Sequence, residues 1–337
     1  MNDVNKVKAY NDIKSYLTDV QRSELLRWLG LDLANLPPRL RGFNVESEFF
    51  TILHFLQSCK HMISFDEAAP ILTQSYTPDC CLVLKNEEKI FVEIKSTDKP
   101  IYEISGGNLQ KKIGFAKEFG FELFFAIKHD NGLWGLYSSD YLQSKNRKLS
   151  YQEDYSYSKF KKMFGSQLIH IPKGIKIESY YSLDKKPLAG IAHPFFGNLF
   201  LYKFYFQDLL ILEVKEENEI DAHYSQILEA LQDAMSNQFQ MEEKIDEKTI
   251  IVTEKLLEDT FFDDYVFLLS SINHLLNNSN CMFDPTDFYK LLIEKRGDTS
   301  FGRDHVYAAI QFMQKNGVPI TIWAADNKCH TISDLID

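Results

Sequence analysis

The residues best suited to chemistry lie in one predicted hairpin, TPDCCLVLKNEEKIFVEIKSTDK, residues 77–99. Asp79 stands at the start of its first apolar run, and Glu93 and Lys95 stand at the end of the second. Because side chains alternate between faces along a strand, Glu93 and Lys95 point the same way. A short turn places Asp79 roughly opposite Glu93, so we expect their carboxylates to lie close enough to share one ion.

Two carboxylates supplemented by water suit Mg²⁺. A lysine beside such an ion can orient or deprotonate an attacking water, and it can neutralise charge that develops on a phosphate. The trio therefore predicts a metal site for phosphodiester hydrolysis, with Mg²⁺ or Mn²⁺ as the ion. The competing interpretation is a surface hairpin that carries an ordinary Glu–Lys pair.

The elements that must position this trio follow the order helix, strand, strand, helix, strand, strand. Asn44 is a plausible N-cap of the first helix. Ser105 opens the second helix, and Gly120 ends it. The predicted elements are a helix over 45–60, strands over about 76–84 and 89–95, a helix over about 107–119, and strands over 121–129 and 133–137. This order predicts an α/β or α+β fold with a central mixed sheet flanked by helices.

The pair Pro78-Asp79 followed by Glu93-Ile94-Lys95 resembles the motif of the PD-(D/E)xK nucleases, which have the restriction-endonuclease-like fold. The likeness extends to the archaeal-type Holliday junction resolvases, whose elements follow the same order, and it covers about residues 44–140. The resemblance implies that the aspartate, the glutamate and the lysine are catalytic. It also implies that the two acids and the carbonyl of Ile94 bind the metal, and that the substrate is DNA.

A glutamate from the first helix usually completes the metal site in this family, and two residues are candidates here. Glu46 shares a helix face with Phe49, Leu53 and Leu56, so we expect it to point toward the sheet. We therefore favour Glu46 as a catalytic and metal-binding residue and keep Glu48 as the alternative.

Polar side chains on the helix after the hairpin are candidates for contacts to the phosphate backbone. They are Gln110, Lys111, Lys112 and Lys117. Lysine contacts to phosphates position a protein on DNA without reading its sequence. A solvated helix face is the alternative interpretation.

Charge divides the chain unevenly. Residues 1–180 contain 24 Lys/Arg and 22 Asp/Glu, whereas residues 181–337 contain 13 and 26. The first part can lie beside a polyanion, and the second suits a basic partner or solvent. We predict an N-terminal helical extension over 1–43, a nuclease domain over 44–180 and an acidic accessory or interaction domain over 181–337.

The acidic part has its own predicted elements. Strands are expected over 198–215, mostly helix over 219–278, and two helices followed by a hairpin at the end, as in a winged helix. The exposed side of the last helix carries few basic residues, which is unfavourable for reading DNA. A protein-interaction or dimerisation module is therefore favoured for this region.

The remaining features concern location. Five cysteines without a CxxC pair are typical of reduced thiols in a cytoplasmic protein. The polar N-terminus does not resemble a signal peptide, and no run of about 18 apolar residues predicts a membrane span.

Together these patterns predict a metal-dependent DNA endonuclease of restriction-like or host-defence type. Junction resolvases are usually short and strongly basic, whereas this chain is long and acidic. Nucleases of this kind commonly act as dimers, so we expect a homodimer. The alternatives are a structure-specific nuclease of the resolvase type, and a binding or assembly protein that has the nuclease fold without the activity. An RNA nuclease is disfavoured, because no aromatic RNA-binding strand is evident.

Overall fold

A computed structural model describes most of the chain. The described residues are 6, 9–10, 13–14, 17–31, 38–65, 76–188, 192–193, 195–215, 231–232, 235, 238–246, 248–275, 303–323 and 329–330. They form two compact units, which divide between Phe164 and Gly165. The division falls earlier than residue 180, where the sequence places the end of the nuclease domain. That predicted domain organisation stays a prediction.

The first unit is a mixed α/β arrangement. Its helices are α1 (Asp19–Leu29), α2 (Pro38–Phe55), α3 (Gly106–Phe119), α4 (Ser139–Ser144), α5 (Tyr151–Asp154) and α6 (Phe160–Phe164). Its strands are β1 (Cys59–Ser64), β2 (Cys80–Leu84), β3 (Lys89–Ser96), β4 (Ile101–Glu103), β5 (Glu122–Lys128), β6 (Trp134–Ser138) and β7 (Lys148–Ser150). The central sheet has the order β1-β2-β3-β5-β6, and β4 pairs separately with β7. Because β3 and β5 are parallel and the other neighbours are antiparallel, the predicted mixed sheet is confirmed.

Helices cover both faces of this sheet. On one face, α3 contributes Leu109 and Ile113 to a cluster that includes Phe91 and Phe125. On the other face, α2 packs against β3, and the ring of its Phe49 lies 5.2 Å from that of Trp134. The alternation of apolar residues along β3 and β5 therefore supplies two cores at once.

Helix α3 begins and ends where the sequence predicts. The Ser105 hydroxyl accepts a hydrogen bond from the Asn108 N–H, and Gly120 ends the helix in the left-handed conformation at φ 71°. A glycine suits that position because a side chain would be strained there. Both ends of this helix are consequently capped.

The helix predicted over 45–60 is wrong at both of its boundaries. Helix α2 begins at Pro38, which is tolerated because the first turn needs no backbone N–H from that residue. It ends at Phe55, and residues 59–64 form β1 instead. Most side chains of β1 are exposed, so hydrophobic alternation did not indicate a strand there.

His129 is a buried histidine at the end of β5, and its Nε2 lies 3.1 Å from the hydroxyl of Tyr137. Burial lowers the pKa of His129 below its ordinary value of 6.5. The unfolded chain therefore takes up a proton more readily than the folded protein. The stabilisation that depends on neutral His129 is present above pH 6.5 and is lost as the pH falls through the lowered folded pKa.

We expect the free energy of unfolding of His129→Gln to depend less on pH than that of the wild type, on the acidic side of neutrality. Urea denaturation of both proteins at a series of pH values measures this difference. Parallel pH profiles would show that His129 does not carry the effect.

The second unit is built mainly from strands. They are β8 (Leu168–Ile171), β9 (Ile175–Ser182), β10 (Ala192–His193), β11 (Gly197–Phe206), β12 (Leu209–Val214), β13 (Phe239–Asp246), β14 (Thr249–Leu256), β15 (Thr260–Asp263), β16 (Thr321–Trp323) and β17 (Cys329–His330). Its helices are α7 (Asp264–Leu275) and α8 (Arg303–Lys315). One sheet has the order β10-β11-β9-β14-β13 with β12 also on β11, and a second has the order β15-β8-β16-β17.

The mostly helical structure predicted over 219–278 is wrong where the chain is described. Residues 239–246, 249–256 and 260–263 form three strands, and the helix α7 begins at Asp264. Frequent charges favoured helix, whereas the β-branched run TIIVT at the start of β14 pairs with both β9 and β13. Strand β13 lies at the edge of its sheet, and its residues from 240 to 246 are exposed.

The predicted winged-helix end is not confirmed. The second helix and the hairpin are present as α8 and β16-β17, but β16 also pairs with β8 in a larger sheet. The first predicted helix, over 284–295, lies outside the described residues. Among the described residues, no helix is long and apolar enough to span a membrane.

Candidate active site

The β2–β3 hairpin sets the geometry of the candidate site. Its register pairs Cys80 with Val92, so Asp79, which directly precedes β2, lies across from Glu93. The Asp79 carbonyl also accepts a hydrogen bond from the Phe65 N–H at 3.0 Å, which extends the pairing with β1. The aspartate is therefore held between two neighbouring strands at one end of the sheet.

The structure brings the predicted trio together. Lys95 Nζ lies 2.6 Å from Glu93 Oε1 and 3.2 Å from Asp79 Oδ2. Asp79 Oδ2 also accepts a hydrogen bond of 2.6 Å from the Ile94 N–H. Because one ammonium group contacts both carboxylates, the two acids lie close enough to share a cation. The role predicted for the Ile94 carbonyl stays a prediction.

Glu93 contacts a second lysine, Lys112, which the sequence predicts either to contact phosphates or to lie on a solvated helix face. The Glu93 side chain is 2% exposed, and its Oε2 forms an ion pair of 2.6 Å with Lys112 Nζ. Lys112 Nζ also donates to the Thr77 carbonyl at 3.0 Å. Lys112 thus contacts the site rather than solvent alone, and it ties α3 to the hairpin.

The charges of the site are mutually compensating. Burial raises the pKa of Glu93, and the neighbouring Asp79 raises it further. Desolvation lowers the pKa of Lys95, but Glu93 and Asp79 outweigh it and raise that pKa above its ordinary value. Lys95 is therefore a cation near neutral pH. This favours charge neutralisation and water orientation over proton abstraction as its role.

Residues 69–166 match the family model of the archaeal Holliday junction resolvases (Hjc). The resemblance predicted from the hairpin is thereby confirmed for this segment, which contains the complete trio. No curated protein matches the chain. Among solved structures, one similar chain is Hjc from Archaeoglobus fulgidus, a Holliday junction resolvase from an archaeal hyperthermophile. It is 17% identical, with a TM-score of 0.29, and the alignment covers 35% of this chain and 89% of that one.

The two candidate glutamates of α2 precede residues 69–166, which we call the resolvase-like segment, and they have different surroundings. Glu48 is buried, and its carboxylate contacts Lys128 Nζ at 2.6 Å and Trp134 Nε1 at 3.0 Å. Glu46 is half-buried and contributes to raising the pKa of the Cys80 thiol, which adjoins Asp79. Both carboxylate oxygens of Glu48 thus already have partners outside the trio. Glu46, by contrast, lies near Cys80, the residue that follows Asp79.

Of the metal ligands predicted from the sequence, only some lie close together in the structure. Within the described ranges, no three Asp, Glu, His or Cys side chains converge on one point. Asp79 and Glu93 converge as a pair, and Glu46 does not complete a group of three with them. Mg²⁺ commonly uses one or two protein carboxylates and retains several waters, so the pair fits that ion.

The remaining polar residues of α3 in the resolvase-like segment differ in their contacts. Lys111 Nζ donates to the hydroxyl of Tyr76 at 2.6 Å. Gln110 and Lys117 are exposed. The predicted phosphate contacts of these residues stay predictions, and only Lys112 is drawn into the site itself.

Proposed function

We propose that the resolvase-like segment is the catalytic part of a metal-dependent DNA endonuclease. Asp79, Glu93 and Lys95 would be its catalytic residues. The observation that carries this proposal is the convergence of two carboxylates on the ammonium group of Lys95, at 3.2 and 2.6 Å. The family match favours branched DNA as the substrate.

Each residue has a defined task in this proposal. Asp79 and Glu93, with the carbonyl of Ile94, would hold Mg²⁺ or Mn²⁺, and the ion would supply Lewis-acid chemistry at the phosphate. Lys95 would neutralise charge on the reacting phosphate and orient the attacking water. Lys112 would keep the buried Glu93 ionised and in place, since it contributes a second positive charge at 2.6 Å.

The proposal is tested by incubating the full chain with a four-way junction, a linear duplex and a supercoiled plasmid, each with Mg²⁺, Mn²⁺ or EDTA. Metal-dependent cleavage that prefers the junction would support a resolvase-like activity. A chain that cleaves none of these substrates and binds neither metal in titration calorimetry would instead be a binding or assembly protein with a nuclease fold.

A restriction-like or defence-type endonuclease is the second candidate. It is favoured by the second unit, which has its own sheets and lies almost entirely beyond the matched residues 69–166. Sequence-dependent cleavage of plasmid and linear DNA, without preference for the junction, would select this candidate. A homodimer, and a protein partner for residues 181–337, are further proposals that sedimentation analysis can address.

The two glutamates of α2 should respond differently to substitution. Mg²⁺ retains water ligands, so Glu46 would act on the ion through one of them, and Glu46→Gln should weaken metal-dependent cleavage. Glu48→Gln should instead lower the free energy of unfolding by about 1–3 kcal/mol, because Lys128 loses its charged partner. Mn²⁺ titrations of cleavage and urea denaturation measure the two effects. The reverse pattern would assign the metal site to Glu48.

A further inference from the structure

Three tyrosine rings form a stack that runs from the core of the first unit to its surface. The rings of Tyr137 and Tyr141 are 5.9 Å apart with an interplanar angle of 16°, and those of Tyr141 and Tyr157 are 5.5 Å apart at 28°. Tyr137 is buried, whereas Tyr157 is 62% exposed. The stack therefore ends in an aromatic ring presented to solvent.

The middle ring of the stack is fixed by a buried carboxylate. The Tyr141 hydroxyl donates to Asp154 Oδ1 at 2.7 Å. Asp154 is 3% exposed, and its Oδ2 accepts from the Ser150 N–H at 2.9 Å. Tyr141 thus has a set orientation before any ligand arrives.

The outer ring lies on a short segment that is fastened to strand β6. Ser158, which follows Tyr157, accepts a hydrogen bond from the Leu136 N–H at 2.9 Å through its hydroxyl. The next N–H, of Lys159, donates to the Leu136 carbonyl at 2.8 Å. Because these hydrogen bonds already order the segment, binding a ligand there costs less conformational entropy.

Lysines lie beside the stack and beside a neighbouring tyrosine of the same segment. Lys145 Nζ lies 5.7 Å from the ring centroids of both Tyr141 and Tyr157, and it also pairs with Asp154 Oδ1 at 3.0 Å. Lys161 Nζ lies 5.6 Å from the ring centroid of Tyr155, which is outside the stack. Residues 139–164 contain six Lys/Arg and three Asp/Glu. This segment therefore carries an excess of three positive charges in a chain whose net charge is −11.

An exposed aromatic face beside lysines is the combination that binds single-stranded DNA: bases stack on the ring, and phosphates contact the ammonium groups. We propose that Tyr157 is a stacking platform for an unpaired base of single-stranded DNA. Lys145, beside the ring of Tyr157, and Lys161, beside that of Tyr155, would contact phosphates of the bound strand. The proposal rests on the proposed function in taking DNA as the partner, and it adds a binding site that the Asp79–Glu93–Lys95 trio does not contain.

The platform and the trio are linked through one pair of strands. Strand β4 follows the site strand β3, and its Tyr102 pairs with Leu149 of β7. Strand β7 leads directly into α5 and the Tyr157 segment. Charge on Lys95 also influences the pKa of Tyr102, so this tyrosine lies near the site. A strand held on Tyr157 would thus be bound within the same unit as the catalytic lysine.

The test measures binding without cleavage. Fluorescence anisotropy with a labelled oligo-dT in EDTA compares the wild type with Tyr157→Ala, Tyr157→Phe and Trp28→Ala. Stacking on one aromatic ring is worth about 1–3 kcal/mol, so Tyr157→Ala should weaken binding by about 5- to 150-fold. Tyr157→Phe should bind like the wild type, because it keeps the ring. Trp28→Ala removes an 86% exposed aromatic on α1 and should have no effect.

Equal affinities of the wild type and Tyr157→Ala, or no binding of oligo-dT by the wild type, would overturn the platform. Loss of binding in Tyr157→Phe equal to that in Tyr157→Ala would also overturn it, since the hydroxyl and not the ring would then matter. The nuclease proposal fails on a different measurement, namely the absence of DNA cleavage in the presence of Mg²⁺ or Mn²⁺. A chain that binds oligo-dT through Tyr157 but cleaves nothing would retain the platform and lose the catalytic role.

Discussion

Lys95→Ala should reduce metal-dependent DNA cleavage by about 10²- to 10⁴-fold, the range in which a positioned proton-transfer or charge-stabilising group contributes. Lys95 is the cation that both Asp79 and Glu93 contact, and its raised pKa keeps it charged near neutrality. The second lysine that contacts Glu93, Lys112, is already held by that carboxylate and by the Thr77 carbonyl, so it does not replace Lys95 at the phosphate. Initial rates on the preferred substrate, at saturating Mg²⁺ or Mn²⁺, measure the loss.

Lys89→Ala is the matched control for this substitution. Lys89 is the first residue of the same strand, its side chain points to the same face, and it is exposed. Its substitution removes one positive charge without touching the carboxylates, so cleavage should stay within about two-fold of the wild type. DNA binding in EDTA should be similar in both variants. Cleavage by Lys95→Ala at the wild-type rate would remove this lysine from the catalytic site.

Asp264→Ala should lower the free energy of unfolding of the second unit by about 3–5 kcal/mol, because it breaks a buried ion pair from one side. The Asp264 side chain is 1% exposed, and its Oδ2 lies 2.8 Å from Arg303 Nη2. Oδ1 accepts from the Ser166 hydroxyl at 2.8 Å and from the Gln167 N–H at 3.1 Å. The variant leaves a guanidinium and two donors without their acceptor. Urea denaturation followed by circular dichroism measures the loss.

Asp259→Ala is the control for this second prediction. Asp259 accepts from the Lys173 N–H and pairs with His170, but its side chain is 53% exposed. An exposed pair contributes little to stability, so the variant should unfold near the wild-type urea concentration. Similar losses in the two variants would mean that burial of Asp264 is not the decisive factor.

The sequence was sufficient to predict that the three hairpin residues lie together, because strand geometry is local. A period of two places Glu93 and Lys95 on one face, and a short turn places Asp79 across from them. The contact from Lys112 was missed because it depends on how α3 lies over β3. A signal was nevertheless present, since position 112 falls among the buried positions Leu109, Ile113 and Ala116. A lysine on that stripe requires a buried partner.

Elements with weak local patterns were harder to predict. Strand β1 lies at the edge of its sheet with mostly exposed side chains, so it lacks the alternation that identifies a strand. Strand β13 is also at an edge, and its charges resembled those of a solvated helix. In both cases the neighbouring strand, rather than the residues themselves, determines the structure.

The exposed edge strand β13 has a consequence for how the protein behaves in concentrated solution. Among the described residues, β13 pairs with β14 alone, and Met241 and Ile245 on it are 57% and 74% exposed. An edge of this kind can pair with a strand of another molecule. Glu242, Glu243 and Asp246 place negative charge along the same strand. Two such edges repel each other at low ionic strength. Salt screens that repulsion, so colloidal stability should fail at this edge first, with light scattering rising as salt is added.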